Sequence, residues 1–301
     1  MIEKKIILNS GYQMPMVGLG TWKLEKDKIE KCIRVAIKEG YKHIDTASRY
    51  GNEEDIGNCL QKLFKENIIK REEIFITSKL WNACHKNPEH ALRKTLKDLK
   101  INYVDLYLIH WPVTFATNDE GKEIYNENGE NVLEEFDCVI LWKKMEELVE
   151  KGLVKSIGIS NFGFVNIENI LKNCKIKPAV NQIEINPYFT QKDLVEYCQE
   201  KSIQVVSYSS LGSSNPSVYN LREDSEIKAI SLKYKKTVPQ IILSWLIMRN
   251  IMVIPKSSSE NHIKENIDLI SLERDDFITI SKLDKNFRFV DPVRFGHNRF
   301  K

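Results

Sequence analysis

Eight short β-rich runs recur along the 301 residues, separated by longer segments of helical periodicity. The runs are residues 17–19, 43–47, 74–79, 104–110, 156–161, 180–185, 204–209 and 252–256. From the third onward they are almost continuously apolar until their last residues, as strands covered on both faces require. Between them, Ile29, Cys32, Ile33, Ala36 and Ile37 keep an i, i+3, i+4, i+7, i+8 spacing ahead of Gly40. Ile56, Cys59, Leu60, Leu63 and Phe64 repeat that spacing, which marks one apolar helix face. Asn87-Pro88 supplies an N-cap and a first-turn proline before Leu92, Leu96 and Leu99. Leu141, Met145, Leu148 and Val149 line a fourth helix that stops at Gly152. Thr190 is expected to cap a sixth, Ile227, Ile230 and Tyr234 mark a seventh, and Pro239 stands near the start of the eighth.

Strict strand–helix alternation predicts a parallel sheet with crossover helices. Eight such units in this length predict a closed α/β architecture, a (β/α)8 TIM barrel, as one domain over residues 1–301. Residues 5–8 and 13–15, joined through Asn9-Ser10-Gly11, read as an N-terminal β-hairpin that plugs the barrel bottom. Three segments exceed ordinary connectors: 111–138, 211–224 and the tail from Asp284. Long loops on a rigid barrel are binding loops or lids.

A net charge of +3 gives no reason to expect a nucleic-acid or anionic-membrane partner. The N-terminal apolar run is only Ile6, Ile7 and Leu8, shorter than a signal peptide needs. The longest apolar stretch, 241–248, is too short to span a bilayer and reads as a buried helix. The six cysteines form no CxxC pair, several lie on apolar helix faces, and none suggests a metal site. A cytoplasmic monomer with reduced thiols is expected.

Sites in such barrels lie at the carboxyl ends of the strands. Those ends carry Asp45, Lys79, His110, Ser160-Asn161, Gln182 to Glu184, Tyr208-Ser209 and Lys256-Ser257, and Tyr50 follows Asp45 by five residues. Singly, each has an ordinary reading: a helix cap, a strand-ending surface charge, a satisfied core histidine, rim packing. Together they bring complementary acid–base groups to one rim.

At these positions the chain resembles the aldo-keto reductase family, its aldose reductase branch, along nearly its whole length. The motifs are Gly18-Leu19-Gly20-Thr21-Trp22, His43-Ile44-Asp45-Thr46-Ala47, Tyr50-Gly51-Asn52-Glu53 and Ser78-Lys79-Leu80-Trp81. Further on come the segments 106–112, 152–162 and 178–184, then Tyr208-Ser209-Ser210-Leu211-Gly212 and Ile254-Pro255-Lys256-Ser257. The resemblance implies NADPH-dependent reduction of aldehydes and ketones by a tetrad of Asp45, Tyr50, Lys79 and His110. Nicotinamide supplies a hydride and the protein a proton. A phenol is too weak an acid for this at neutral pH, so Lys79 is expected to lower the Tyr50 pKa while Asp45 orients Lys79. His110, neutral, aims the carbonyl oxygen. For NADP the resemblance implies Tyr208 against the nicotinamide, with Ser160, Asn161 and Gln182 on its carboxamide. Thr21, Trp22, Asp45, Ser209, Leu211 and Ser213 are implied along the cofactor, Lys256, Ser257 and His262 at the 2′-phosphate, and Glu265 and Asn266 at the adenine. Trp22, Trp81, Trp111, Phe115 and His110 are expected to line an apolar carbonyl pocket.

The sequence departs from the family pattern in places. Arg49 replaces an aliphatic residue, which favours acidic or polyhydroxylated substrates if it lies at the pocket lip; the alternative is a solvated partner of Glu53 or Glu54. Ser210 replaces a proline, and His262 an arginine. The tail phenylalanines 287, 289, 295 and 300 do not follow the familiar specificity loop. The competing functional reading is an NADPH-binding regulatory or sensor barrel with little turnover. A Schiff-base aldolase is a further alternative, disfavoured because Asp45 should keep Lys79 charged.

Overall fold

The computed structural model describes residues 5–212 and 219–290. Among them run an eight-stranded parallel sheet, the helices that connect its strands, and two small antiparallel pairs. The strands are β1 (Lys5–Ile7), β2 (Gln13–Pro15), β3 (Leu19–Gly20), β4 (His43–Asp45), β5 (Phe75–Leu80), β6 (Val104–Ile109), β7 (Thr114–Phe115), β8 (Leu133–Glu134), β9 (Val154–Ser160), β10 (Val180–Glu184), β11 (Gln204–Tyr208) and β12 (Ile251–Val253). The main sheet runs β12-β11-β10-β9-β6-β5-β4-β3. Its ends meet: Val17 bridges Val253 in parallel, Gly18 N–H donates to Val253 O at 2.8 Å, and Gly20 N–H donates to Pro255 O at 3.1 Å. A Cβ at Gly20 would lie 2.5 Å from Ile254 O, so the seam closes only with glycine there. The expected (β/α)8 barrel is the observed fold.

The helices follow the periodicities that announce them. They are α1 (Lys26–Lys38), α2 (Glu53–Lys65), α3 (Pro88–Leu99), α4 (Cys138–Glu150), α5 (Phe164–Asn173), α6 (Lys192–Glu200), α7 (Ser225–Tyr234), α8 (Val238–Met248), α9 (Glu260–Ile267) and α10 (Arg274–Ser281). Helix α1 buries Ile29, Cys32, Ile33, Ala36 and Ile37, the residues spaced for one face. Asn87 caps α3 by accepting the His90 N–H at 3.1 Å. Thr237 and Gln240 form a capping box on α8, whose apolar run is buried from Ile241 to Ile247, while Met248 at its end is exposed. Thr190 does not cap α6. Gln191 is the N-cap residue, and the Thr190 hydroxyl instead donates to Asp284, tying the C-terminal segment to the barrel. Helix α5 has only a short apolar face around Ile167 and Ile170, too brief to stand out from the sequence.

The hairpin β1–β2 covers the amino-terminal ends of the strands. Asn9 donates to Pro178 O at 2.8 Å and to Ser202 O at 3.1 Å, ahead of β10 and β11, while Leu8, Met14 and Met16 enter the core. All six cysteines are free thiols. No helix among the described residues is long and apolar enough to cross a membrane.

Candidate active site

At the opposite end of the barrel, polar side chains terminate otherwise apolar strands. Lys79, near the end of β5, is fully buried and donates to Asp45 Oδ1 at 2.6 Å, Thr46 O at 2.8 Å and Tyr50 OH at 3.1 Å. Three acceptors around one ammonium satisfy its three donors. Burial opposes the charge, but Asp45 and then Tyr50 outweigh it, so the Lys79 pKa stands above the usual lysine value. Lys79 is therefore no rim residue; it is part of the barrel interior, contrary to expectation.

Tyr50 sits in a 3-10 turn, Ser48–Tyr50, half-buried beside the ammonium. Lys79 pulls the Tyr50 pKa down as expected, but burial outweighs it. Burial lifts the phenol pKa, and Lys79 offsets this only in part, so Tyr50 stands above its ordinary value. Lys79 keeps the phenol from rising further. The His110 ring lies 5.9 Å from the Tyr50 ring, centroid to centroid. Burial, then the Lys79 charge, holds the imidazole far below its ordinary pKa, so it is neutral as expected. Its Nδ1 is buried without a hydrogen-bond partner among the described residues.

Three neighbouring strand ends supply amide and hydroxyl groups. Ser160 Oγ donates to Gln182 O at 2.8 Å; Asn161 Nδ2 donates to His110 O at 3.0 Å and to Ser160 Oγ at 3.1 Å. Tyr208 OH donates to Asn161 Oδ1 at 2.7 Å. Asn161 and Ser209 both take the left-handed conformation, with φ of 65° and 48°, where strands β9 and β11 break off. Gln182 Nε2 donates to Asp45 Oδ2 at 2.8 Å, while its Oε1 takes no hydrogen bond among the described residues. A free amide acceptor beside Ser160 and Asn161 fits the two-sided donor and acceptor pattern of a carboxamide.

Along the rim, Thr21 is buried and bonded to Asp45 O at 2.9 Å, and Leu211 packs on the core. Ser213 lies outside the described residues, as do Phe295 and Phe300. Lys256 and His262 are exposed around the start of α9, and Glu265 and the buried Asn266 stand in its last turn. The Ser257 hydroxyl accepts the Ser259 N–H at 3.0 Å, so it is engaged in its own turn. The N–H groups of Ser257 and Ser258 donate to nothing among the described residues. Free N–H groups with a cation ahead of a helix suit a phosphate.

Trp81, Trp111 and Phe115 form one buried cluster with Val113, against which Leu133 and Val290 pack. Trp22 is not in it; it is 47% exposed with Lys23 Nζ 4.4 Å from its ring. Two carboxylates matter here, of which the sequence reading gave no role to Glu184 and did not name Glu123. Glu123 accepts the Trp81 indole N–H at 2.7 Å, and Glu184 accepts the backbone N–H groups of Phe289 at 2.7 Å and Val290 at 3.0 Å. Glu184 is signalled only as a charge at a strand end. Glu123 lies mid-loop and carries no pattern. Arg49 pairs with neither Glu53 nor Glu54: Glu53 is buried against Ser78 and Thr95, and the nearest carboxylate to Arg49 is Glu123.

The carboxyl face of the parallel barrel thus carries an Asp45–Lys79–Tyr50 chain beside a neutral histidine, His110. The chain belongs to the aldo/keto reductase family, whose model matches residues 16–285. It is 53% identical over 302 residues to an aldose reductase of Encephalitozoon cuniculi, covering 100% of both chains. It is 45% identical to aldose reductase C of Dictyostelium discoideum, covering 96% of this chain and 92% of that one. It is 43% identical to the NAD(P)H-dependent D-xylose reductase I,II of Candida tropicalis, covering 95% and 94%. The chain is thus an oxidoreductase of that family. The alternative of a regulatory or sensor barrel with little turnover has no support.

Proposed function

We propose that Asp45, Tyr50, Lys79 and His110 carry the reaction, with Tyr50 giving its proton to the carbonyl oxygen. The observation that supports this is the unbroken chain from Asp45 Oδ1 through Lys79 Nζ to Tyr50 OH, at 2.6 and 3.1 Å. When bound, NADPH supplies the hydride. Tyr50, like any phenol, is protonated at neutral pH, so the donor is loaded. As negative charge builds on the substrate oxygen, Tyr50 OH delivers its proton, and Lys79 stabilises the phenolate left behind. Asp45 keeps Lys79 charged and aimed. Neutral His110 donates a hydrogen bond to the carbonyl oxygen without competing for that proton. Ser160, Asn161 and Gln182 would hold the nicotinamide amide beside Tyr208, and Lys256 with the Ser257 and Ser258 N–H groups would hold the 2′-phosphate. Trp81, Trp111 and Phe115 offer an apolar wall to the substrate body.

The physiological substrate we assign to the aldose class, from the names of the relatives. The whole chain acts as one barrel domain, a monomer in the cytoplasm. The deciding experiment is Tyr50→Phe with a sugar and an aromatic aldehyde. Turnover should fall by about 10³-fold or more, with NADPH binding near wild type, since the group lost acts in the transition state. Turnover within tenfold of wild type would overturn the assignment.

A further inference from the structure

We infer that Arg49 is a specificity-determining residue that reads a carboxylate or phosphate on the carbonyl substrate, so that anionic aldehydes are preferred to neutral ones of the same shape. This deepens the reading of the tetrad as the reducing centre and rests on it.

Arg49 immediately precedes Tyr50 in the turn Ser48–Tyr50. Its guanidinium carbon lies 5.0 Å from the centre of the Trp81 ring, and that ring lies 5.3 Å from the His110 ring. One indole thus touches both the group that receives the carbonyl and a half-exposed cation (52% of the Arg49 side chain). The face-on contact steadies the guanidinium without using an N–H. Among the described residues, Arg49 makes no side-chain hydrogen bond.

Its nearest carboxylate does not satisfy it. Arg49 Nη1 is 3.9 Å from Glu123 Oε1, beyond hydrogen-bond range. Glu123 is already committed: Oε1 accepts from Trp81 Nε1 at 2.7 Å, and Oε2 accepts from Tyr125 OH at 2.7 Å and Asn131 Nδ2 at 2.8 Å. The carboxylate fixes the indole, and the indole carries the arginine. What is left is a steadied fork of free donors at the mouth, the geometry that binds a planar carboxylate or two phosphate oxygens in parallel. Lys79 cannot take that part, being buried with all three donors used.

The test uses matched pairs. The carboxylate arm compares 4-carboxybenzaldehyde with its neutral methyl ester, and the phosphate arm compares glyceraldehyde 3-phosphate with glyceraldehyde. The readout is the ratio of kcat/KM, anionic over neutral, which a general loss of activity does not move. In the wild type this ratio should exceed one in at least one arm and fall with added KCl. Arg49→Gln should lower it about tenfold, the loss of one charge-assisted pair. Arg49→Lys should lie between, keeping charge and losing the fork. Glu123→Gln should raise it, because a competing negative charge is removed. Opposite signs for Arg49→Gln and Glu123→Gln support the inference and separate it from disturbed packing. An unchanged ratio in Arg49→Gln overturns it, even while Tyr50→Phe still abolishes reduction of both aldehydes. Full activity of Tyr50→Phe would instead overturn the tetrad reading.

Discussion

Gln182 reaches across the barrel mouth to Asp45, its Nε2 lying 2.8 Å from the carboxylate oxygen that Lys79 leaves free. Strands β10 and β4 are not neighbours; β9, β6 and β5 separate them along the sheet. The bond therefore ties opposite walls together at the level of the reacting groups. It also completes Asp45, whose other oxygen belongs to Lys79. A neutral amide can orient a buried carboxylate but cannot balance its charge, so that balance rests on Lys79.

Replacing Lys79 with methionine should therefore cost stability as well as activity. Removing one partner of a buried ion pair leaves the other uncompensated, at about 3 kcal/mol or more. The melting temperature should drop by several degrees. The double variant Asp45→Asn/Lys79→Met should recover part of the loss, because no bare charge remains. Thermal unfolding of the three proteins measures this. A Lys79→Met protein as stable as wild type would show that the carboxylate finds another partner.

Besides His110, two further buried histidines predict acid sensitivity. His43, bonded through Nε2 to Thr77 Oγ1 at 3.0 Å, has its pKa lowered by burial to about 4, and His85 likewise to about 3. In the unfolded chain each takes a proton as pH falls through 6.5, whereas the folded protein refuses it until much lower pH. The unfolded state binds more protons in that window, so stability falls with acidification from about pH 6.5 downward. For His43 the loss by pH 4 is roughly 3 kcal/mol. Urea unfolding of wild type and His43→Gln at pH 7, 5.5 and 4.5 isolates it, because other titrating groups cancel. The variant's stability should decline less steeply. Parallel declines would mean that His43 is charged in the fold.

Glu184 should act as the clasp of the C-terminal segment. Its two oxygens take the N–H groups of Phe289 and Val290, and Val290 packs on the cluster of Trp81, Trp111 and Phe115. Glutamine offers one oxygen and one NH2, so Glu184→Gln sets a donor against one of those N–H groups. An unpaired donor of this kind costs about 1–3 kcal/mol. Tryptic cleavage after Lys285 or Arg288 should speed up about tenfold, and KM for a carbonyl substrate should rise. Equal cleavage rates in the two proteins would show that the segment is held by its aromatic contacts alone.

The barrel was legible because each apolar run ended in a polar residue and each intervening face kept one period. Asp45, Lys79, His110, Asn161 and Gln182 stand out for that reason: charge or amide closing a buried strand. What was not legible depends on depth and on distant pairing. Nothing local distinguishes a buried Lys79 from one at the rim, and the sign at Tyr50 follows from burial outweighing a neighbouring charge. The Arg49–Glu123 approach joins a strand-end turn to a loop hairpin far along the chain. Thr190 looked like a cap because the residue type suits caps; its hydroxyl was taken by Asp284, which no local spacing reveals.

The phosphate end of the site makes the last prediction, that NADPH is preferred over NADH less strongly than an arginine at position 262 would allow. The 2′-phosphate that distinguishes the two cofactors carries nearly two negative charges at neutral pH. Around the start of α9, Lys256 is an exposed cation, and the N–H groups of Ser257 and Ser258 are free among the described residues. The Ser257 hydroxyl is spent on the Ser259 N–H, and His262 stands in the first turn of α9. An imidazole offers a phosphate one N–H at a time, whereas a guanidinium stays charged and takes two oxygens at once. His262→Arg should therefore tighten NADPH and raise the ratio of NADPH to NADH affinity. NADH binding should be indifferent to the change, since it has no 2′-phosphate to report it. Fluorescence titration of both cofactors with the two proteins decides the matter. No gain from His262→Arg would mean that Lys256 and the backbone hold the phosphate alone.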